Sequence, residues 1–137
     1  MDPNRALSQW GLDIPIRTSP DEGLINHTWL VGEPPIGVLQ WVNPIVAPQA
    51  HNEIAHVTAQ LQASGILTPH LLPTLEGAQW VVQPDGCWRM LSFIPGSTVD
   101  AFSSAAQASS AAALVGRFHA ALAQMTLEFP HQRLHAH

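Results

Sequence analysis

The fold is decided by Gly37-Val38-Leu39-Gln40-Trp41-Val42-Asn43, a run rich in strand-forming residues. A second such run, Thr28-Trp29-Leu30-Val31, lies just upstream. The residues between them, Gly32-Glu33-Pro34-Pro35-Ile36-Gly37, form a turn-prone cluster of glycines and prolines. Two strand-forming runs joined by a short turn predict a β-hairpin.

A helix is predicted directly after this hairpin, over residues 48–64. Asn43-Pro44 ends the strand, and Pro48 suits the first position of a helix. Four apolar residues then recur at spacings of four, three and four, which places them on one helical face: Ala50, Ile54, Val57 and Leu61. On this pattern His51, Glu53, His56 and Gln60 fall off that face, and Gly65 supplies the C-terminal cap.

A second hairpin and a second helix complete the prediction. Trp80-Val81-Val82-Gln83 and a run from Cys87 to Ile94 flank Pro84-Asp85-Gly86, a strong hairpin signal. The last helix begins at Ser103 or Ser104 and continues to about Met125. Its predicted apolar side consists of Ala111, Leu114, Val115, Phe118, Leu122 and Met125.

The N-terminal region, residues 1–22, mixes polar and short apolar pieces. There Leu12, Ile14 and Ile16 alternate with Asp13 and Pro15, which indicates an edge strand. The order of elements predicts an α+β domain with a five-stranded antiparallel sheet, one inserted helix and a C-terminal helix. Only the two helices are then available to cover the second face of the sheet.

Composition narrows the classes of function. The 137 residues are 46% hydrophobic and only 11% charged, with a net charge of −5. The cations are five scattered arginines and no lysine, so binding to nucleic acid through its phosphates is not expected. The single cysteine, Cys87, fits a reducing compartment. No signal peptide or membrane-spanning run is visible, so we expect a cytoplasmic protein without membrane contact.

Taken in order, several segments resemble the small lobe of the aminoglycoside phosphotransferase and choline kinase-like superfamily, and within it the N-acetylhexosamine 1-kinase branch. The resemblance covers roughly residues 10–125 and rests on Gly23–Val31, Val38–Asn43, Ile54–Thr58, Leu72–Thr74, Trp88–Gly96 and Gly116–His119. It implies a kinase-like N-terminal lobe over residues 1–96. Residues 97–137 would then be a linker and the first helix of a C-terminal lobe.

The resemblance also implies a nucleotide site for ATP and magnesium. The loop over the phosphates would include Gly23, Asn26 and Thr28. The strand position that carries a lysine in kinases falls on Trp41, or on Gln40 if the alignment shifts by one residue. The helical glutamate that pairs with this lysine would be Glu53, with Asn52 as its rival. The walls of the adenine slot would be Val31, Leu39 and Phe93.

The catalytic residues of that superfamily lie in the large lobe. No His-x-Asp-x-x-x-x-Asn loop occurs here, and after Asp100 the only acidic residue is Glu128. We therefore expect the nucleotide-binding lobe of a sugar or aminoglycoside-like kinase, catalytically incomplete alone and binding nucleotide weakly or not at all, with no catalytic residue of its own.

The alternative is a non-catalytic interaction module derived from such a lobe. The expected partners are a missing C-terminal lobe or a second copy, bound through an exposed apolar face. His131, His135 and His137 have spacings that could reach one metal ion, but a histidine-bearing tail is the preferred interpretation and no metal site is predicted.

Overall fold

The computed structural model describes residues 1–20 and 25–125. Its elements in chain order are α1 (Pro3–Leu7), a 3₁₀ helix (Ser8–Trp10), β1 (Ile16–Thr18), β2 (His27–Val31), β3 (Gly37–Val42), α2 (Ala50–Ala63), β4 (Val81–Gln83), β5 (Gly86–Ser92) and α3 (Ala105–Leu122). The five strands form one antiparallel sheet in the order β1-β2-β3-β5-β4. The predicted α+β class, with its inserted helix and C-terminal helix, is confirmed.

One face of the sheet forms the main hydrophobic core. Its strands contribute Val31, Leu39, Trp88 and Met90, all of them buried, with Trp29 and Trp41 packed around them. The N-terminal α1 and the 3₁₀ helix cover this face with three further buried residues, Ala6, Leu7 and Trp10. The indole of Trp10 donates a hydrogen bond to the carbonyl of Leu72 over 2.8 Å.

The packing of α1 and the 3₁₀ helix on the sheet corrects the prediction that only two helices were available to cover its second face. Helix α1 is capped by Asp2, whose side chain accepts from the backbone N–H of Arg5, and Pro3 stands at its first turn. The predicted edge strand is also shorter than expected, since β1 begins at Ile16. Leu12 and Ile14 lie outside the strand and pack against the core.

Asp85, in the loop of the β4–β5 hairpin, forms hydrogen bonds with residues of the core face and of the N-terminus. Asp85 accepts a hydrogen bond from the Trp88 indole on its carboxylate, over 3.0 Å, and from the Trp41 indole on its backbone carbonyl, over 2.7 Å. Its other carboxylate oxygen accepts from the backbone N–H of Asp2 over 2.9 Å. The hydrogen bond from Trp88, then that from Asp2, hold the pKa of Asp85 below its ordinary value.

Helix α2 ends at a glycine cap, as the sequence predicted. Gly65 has a φ of 73°, and its N–H bonds to the carbonyl of Gln62. The N–H of Ile66 bonds to the carbonyl of Leu61, and these two side chains are buried in one cluster. This is a Schellman motif with its hydrophobic contact, which fixes where the chain turns back toward the sheet.

Helix α3 packs against α2 through its C-terminal end. Ala121 is buried with Leu61 and Ile66, and Leu122 and Val57 pack beside them. The N-cap is Ser104, whose hydroxyl accepts from the N–H of Gln107 over 3.1 Å. Half of the predicted apolar side is nevertheless exposed, since Leu114, Val115 and Phe118 are 46%, 54% and 36% exposed. None of the described helices has the length and apolar character that crossing a bilayer requires.

Replacing Gly86 with alanine is expected to destabilise the fold strongly. Gly86 has a φ of 131°, and a Cβ there would collide with the Trp41 indole nitrogen. Backbone strain and overpacking together predict a loss of about 2–4 kcal/mol in the free energy of unfolding, measured by urea denaturation. The matched control is Gly96→Ala, where a Cβ meets no atom within 4 Å. Equal stabilities of the two variants would contradict the described hairpin.

Candidate nucleotide-binding face

Two adjacent rows of side chains cross the sheet on the face opposite the main core. Directly paired residues on neighbouring strands share a face, and every second residue of a strand points the same way. The strand register therefore places one row in the order Arg17, Leu30, Val38, Leu91. The next row, two residues further along each strand, is Thr28, Gln40, Arg89.

One end of the first row, at Arg17 and Leu30, borders a cleft of about 460 Å³. Arg17 and Ser19 line it from the first strand and the residue after it, and Leu30 lines it from β2. Its other wall is the segment that leaves β5, from Phe93 to Thr98. This cleft has an apolar floor at Leu30 and a wall formed by the segment that leaves β5. Clefts of this type accept a flat, partly apolar group.

The backbone on that second wall is free to bind a ligand. Residues 94–98 form no hydrogen bond, by backbone or side chain, with any part of the chain that the structure describes. Their N–H and C=O groups need partners, and at a cleft these come from water or from a ligand. Pro95 contributes only a carbonyl, so the donors are the N–H groups of its neighbours.

The second row is a connected polar chain. Arg89 donates from Nε to the Gln40 side-chain oxygen over 2.9 Å. The Gln40 amide in turn donates to the Thr28 hydroxyl over 3.2 Å. The hydroxyl proton of Thr28 is left to donate elsewhere. Arg89 is partly buried, and this burial lowers the pKa of its guanidinium.

The register places the two candidates for the kinase lysine position on opposite faces of the sheet. Gln40 points to this face, in line with Thr28 and Arg89. Trp41 points to the core face, where it stands opposite His27 and Trp88 and donates its indole N–H to Asp85. Of these two candidates, Gln40 is therefore the one on the same face of the sheet as the cleft.

The other predicted cofactor-binding residues fall in different places. Phe93 lines the cleft, and Thr28 belongs to the polar row. Val31 and Leu39 are fully buried on the opposite face, where core packing accounts for them. The Asn26 side-chain oxygen accepts from the N–H of Asn43 over 3.0 Å, so it fastens the hairpin end. Gly23 lies outside the described residues.

The first turn of α2 holds Glu53 and its rival Asn52 in different surroundings. Glu53 is partly buried, and its Oε1 atom is enclosed without a hydrogen-bond partner among the described residues. Asn52 is exposed and lines a different cleft, of about 650 Å³, between α2 and the end of α3. Among the described residues, Glu53 lies within ion-pairing distance of no arginine.

His51 is fully buried, which corrects the prediction that it falls away from the packed side of α2. Its ring stacks on Trp80 with the two centroids 5.3 Å apart. Nδ1 lies 2.6 Å from the carbonyl of Pro48, so Nδ1 must carry the proton. Nε2 is enclosed without a partner in the described chain, and burial, followed by the charge of Arg89, lowers the pKa of His51.

The larger cleft is a weaker candidate for a binding site. It is lined by small, amide and imidazole side chains: Asn52, Ala55, His56, Ala59, Gln60, Gln79, Gln124 and Met125. No carboxylate or guanidinium stands in this lining. The cleft beside the sheet offers apolar floor, open backbone and nearby arginines, so it is the preferred site.

Three residues of the preferred site were missed by the sequence analysis: Arg17, Leu30 and Arg89. A signal for Arg89 was present, because Trp88 and Met90 flank it in a strand and so place it on the other face. Its pairing with Gln40 joins positions 49 residues apart and cannot be obtained from local pattern.

The element order and the antiparallel sheet with its inserted helix define a protein-kinase-like small-lobe fold. No protein-family model matches the chain. The structure is similar to that of an aminoglycoside phosphotransferase from Alicyclobacillus acidocaldarius subsp. acidocaldarius DSM 446, with a TM-score of 0.66 and 16% sequence identity. The match covers 88% of this chain and 35% of that one, so this chain spans about a third of its neighbour's length. At this identity the likeness establishes the fold, and it bears out the predicted kinase-like small-lobe architecture.

The buried His51 makes stability depend on pH. Because its pKa in the folded protein is lowered, unfolding lets the imidazole take up a proton as pH falls below its ordinary value of 6.5. Stability contributed by neutral His51 is therefore present above about pH 6.5 and lost at lower pH. Unfolding free energies measured between pH 7.5 and 5 should fall less steeply in His51→Phe than in the parent.

The control for this measurement is His56→Phe, since His56 is exposed on the same helix. It should keep the parental pH slope. If His51→Phe also keeps that slope, His51 is not buried in its neutral form.

Proposed function

We propose that this chain is the nucleotide-binding lobe of a phosphotransferase that acts on a small molecule such as a sugar or an aminoglycoside. The observation that carries the proposal is the cleft between Leu30 and the 93–98 segment. It combines an apolar floor with backbone donors and acceptors that have no partner in the described chain. A nucleotide base needs this combination, because its faces are apolar and its edge forms hydrogen bonds.

The neighbouring polar row extends the site in the direction of the phosphates. Adjacent rows on one sheet face are about 7 Å apart. A base held at Leu30 and Phe93 would direct its ribose and phosphates toward the row of Thr28, Gln40 and Arg89. The hydroxyl of Thr28 and the guanidinium of Arg89 are donors that suit phosphate oxygens.

ATP fits these residues better than magnesium does. The described residues contain no group of three or more His, Cys, Asp or Glu side chains that could hold a metal ion. We therefore assign the nucleotide to the cleft and assign no magnesium ligand to the described chain. When bound, magnesium would neutralise phosphate charge.

The same proposal divides the chain into a lobe over residues 1–96 and a segment over residues 97–137 that begins a second lobe. Helix α3 supports this division. Among the described residues, it is buried against the first lobe at Ala121, with Leu122 packed beside it, while Leu114, Val115 and Phe118 remain exposed. An apolar helix face of this kind suits a surface covered by further protein. Catalytic groups would then come from that second lobe.

A second candidate function is a non-catalytic interaction module, and the exposed face of α3 is the observation that favours it. In that case two copies would pair through Leu114, Val115 and Phe118. Sedimentation equilibrium distinguishes the two. A dimer that Leu114→Glu converts to a monomer supports the module, and a monomer at high concentration contradicts it.

The proposed function is tested by equilibrium dialysis of the chain against labelled adenosine. We expect saturable but weak binding, with a Kd of about 1 mM, because one lobe supplies only part of the enclosure. Leu30→Glu should weaken binding by at least about tenfold, since it places a charge on the apolar floor.

Leu67→Glu is the matched control, because Leu67 lies after the end of α2 and is 78% exposed. This variant should bind adenosine with the same Kd as the parent. Thermal melts of both variants verify folding. Absence of saturable adenosine binding, or equal binding by both folded variants, would overturn the proposed function.

A further inference from the structure

The row of Thr28, Gln40 and Arg89 contains one cation, the guanidinium of Arg89. It lies on β5, next to β3, the strand that carries a lysine in kinases. Arg89 stands on β5, directly opposite Gln40 on β3. The sequence contains no lysine, so this chain itself offers the site no lysine. We propose that Arg89 is the phosphate-binding cation of this site, held in place by Gln40. This inference rests on the proposed function and adds to it the residue that recognises the phosphates.

The hydrogen bonds of Arg89 support the assignment. Only Nε is engaged, by the Gln40 oxygen, and the two terminal amino groups have no hydrogen-bond partner among the described residues. A guanidinium has five N–H donors in a planar fork, and the terminal ones match a pair of phosphate oxygens. Gln40 therefore orients the fork, while the phosphate-binding side stays available.

The charge balance of the site points the same way. Arg89 forms no ion pair with a carboxylate in the described chain, although it is partly buried. The titratable side chains that interact with it supply no compensating negative charge: burial lowers the pKa of His51 on α2 and raises the pKa of the Cys87 thiol, and both shifts favour the uncharged form. Burying a cation without an anion is costly, and a bound phosphate supplies the missing charge.

Arg17 is a different type of cation in the same region. It lines the base end of the cleft, is 52% exposed and lies 3.6 Å from the Glu33 carboxylate. A solvent-exposed pair of this kind contributes little. Arg89 is distinguished by its position one row further along, where phosphates attached to a base at Leu30 would lie.

The experiment compares ADP with adenosine, because the two ligands differ in the diphosphate. Both Kd values are measured by equilibrium dialysis without magnesium, so that only protein groups neutralise the phosphates. Arg89→Gln should weaken ADP binding about tenfold to a hundredfold, the value of a charge-assisted contact, and leave adenosine binding unchanged. Arg89→Lys should restore part of the ADP affinity, because it keeps the charge but loses the fork.

Arg5→Gln is the matched control, since Arg5 is exposed on α1 at the other face of the sheet. It should leave both affinities unchanged. If Arg89→Gln weakens ADP and adenosine equally, or weakens neither, Arg89 does not bind phosphate and the inference is overturned. If adenosine does not bind the parent chain, the proposed function itself fails, which is a separate result. Thermal melts of each variant establish that losses do not come from unfolding, and Arg89→Lys provides the test if Arg89→Gln does not fold.

Discussion

The structure depends on the strict alternation of side chains along five antiparallel strands. Alternation gives the sheet two faces with different chemistry. One face carries Leu39, Trp88 and Met90 and is closed by the N-terminal helix. The other carries Leu30, which lines the cleft, and in the next row Gln40 and Arg89. A slip of one residue in the pairing would exchange the two sets and destroy both the core and the site.

The core face stabilises the site face. Asp85 collects hydrogen bonds from two core indoles and from the start of α1, and so links the β4–β5 hairpin to the chain terminus that covers the sheet. Because β5 begins at Gly86, this loop also sets the register that brings Arg89 opposite Gln40. The position of Arg89 opposite Gln40 therefore depends on packing on the other face of the sheet.

Local sequence pattern was sufficient to predict most helices and hairpins. It was insufficient to predict which side chains are buried and which face of the sheet they occupy. The sequence predicted the residue 48–64 helix, the glycine cap at Gly65 and the Pro84-Asp85-Gly86 hairpin, because each is specified by neighbours in the chain. Helix α1 was missed because five residues are too few for a periodic signal, and its stability comes from tertiary burial. The burial of His51 was missed because Trp80, on which it stacks, is distant in sequence.

The choice between Gln40 and Trp41 shows the same limit at the site. Sequence pattern identified the strand but not which of two adjacent residues faces the cleft, and only pairing with β2 and β5 decides it. The superfamily resemblance predicted the fold, yet it pointed to Val31 and Leu39 as cleft walls, whereas the buried core accounts for both. Arg89 lay within one of the segments that carry the resemblance but was not singled out, since its pairing with Gln40 is a contact between distant parts of the chain.

The central claim, that nucleotide binds on the face of Leu30 and Arg89, is tested most directly by NMR of the labelled chain during titration with ATP. The account predicts that the Leu30 methyl and Arg89 Nε–H signals shift together and saturate with one Kd. The methyl signals of Val31 and Leu39, one residue away along the strands but on the other face, should stay in place. Shifts at Val31 and Leu39 without shifts at Leu30 and Arg89 would contradict the account.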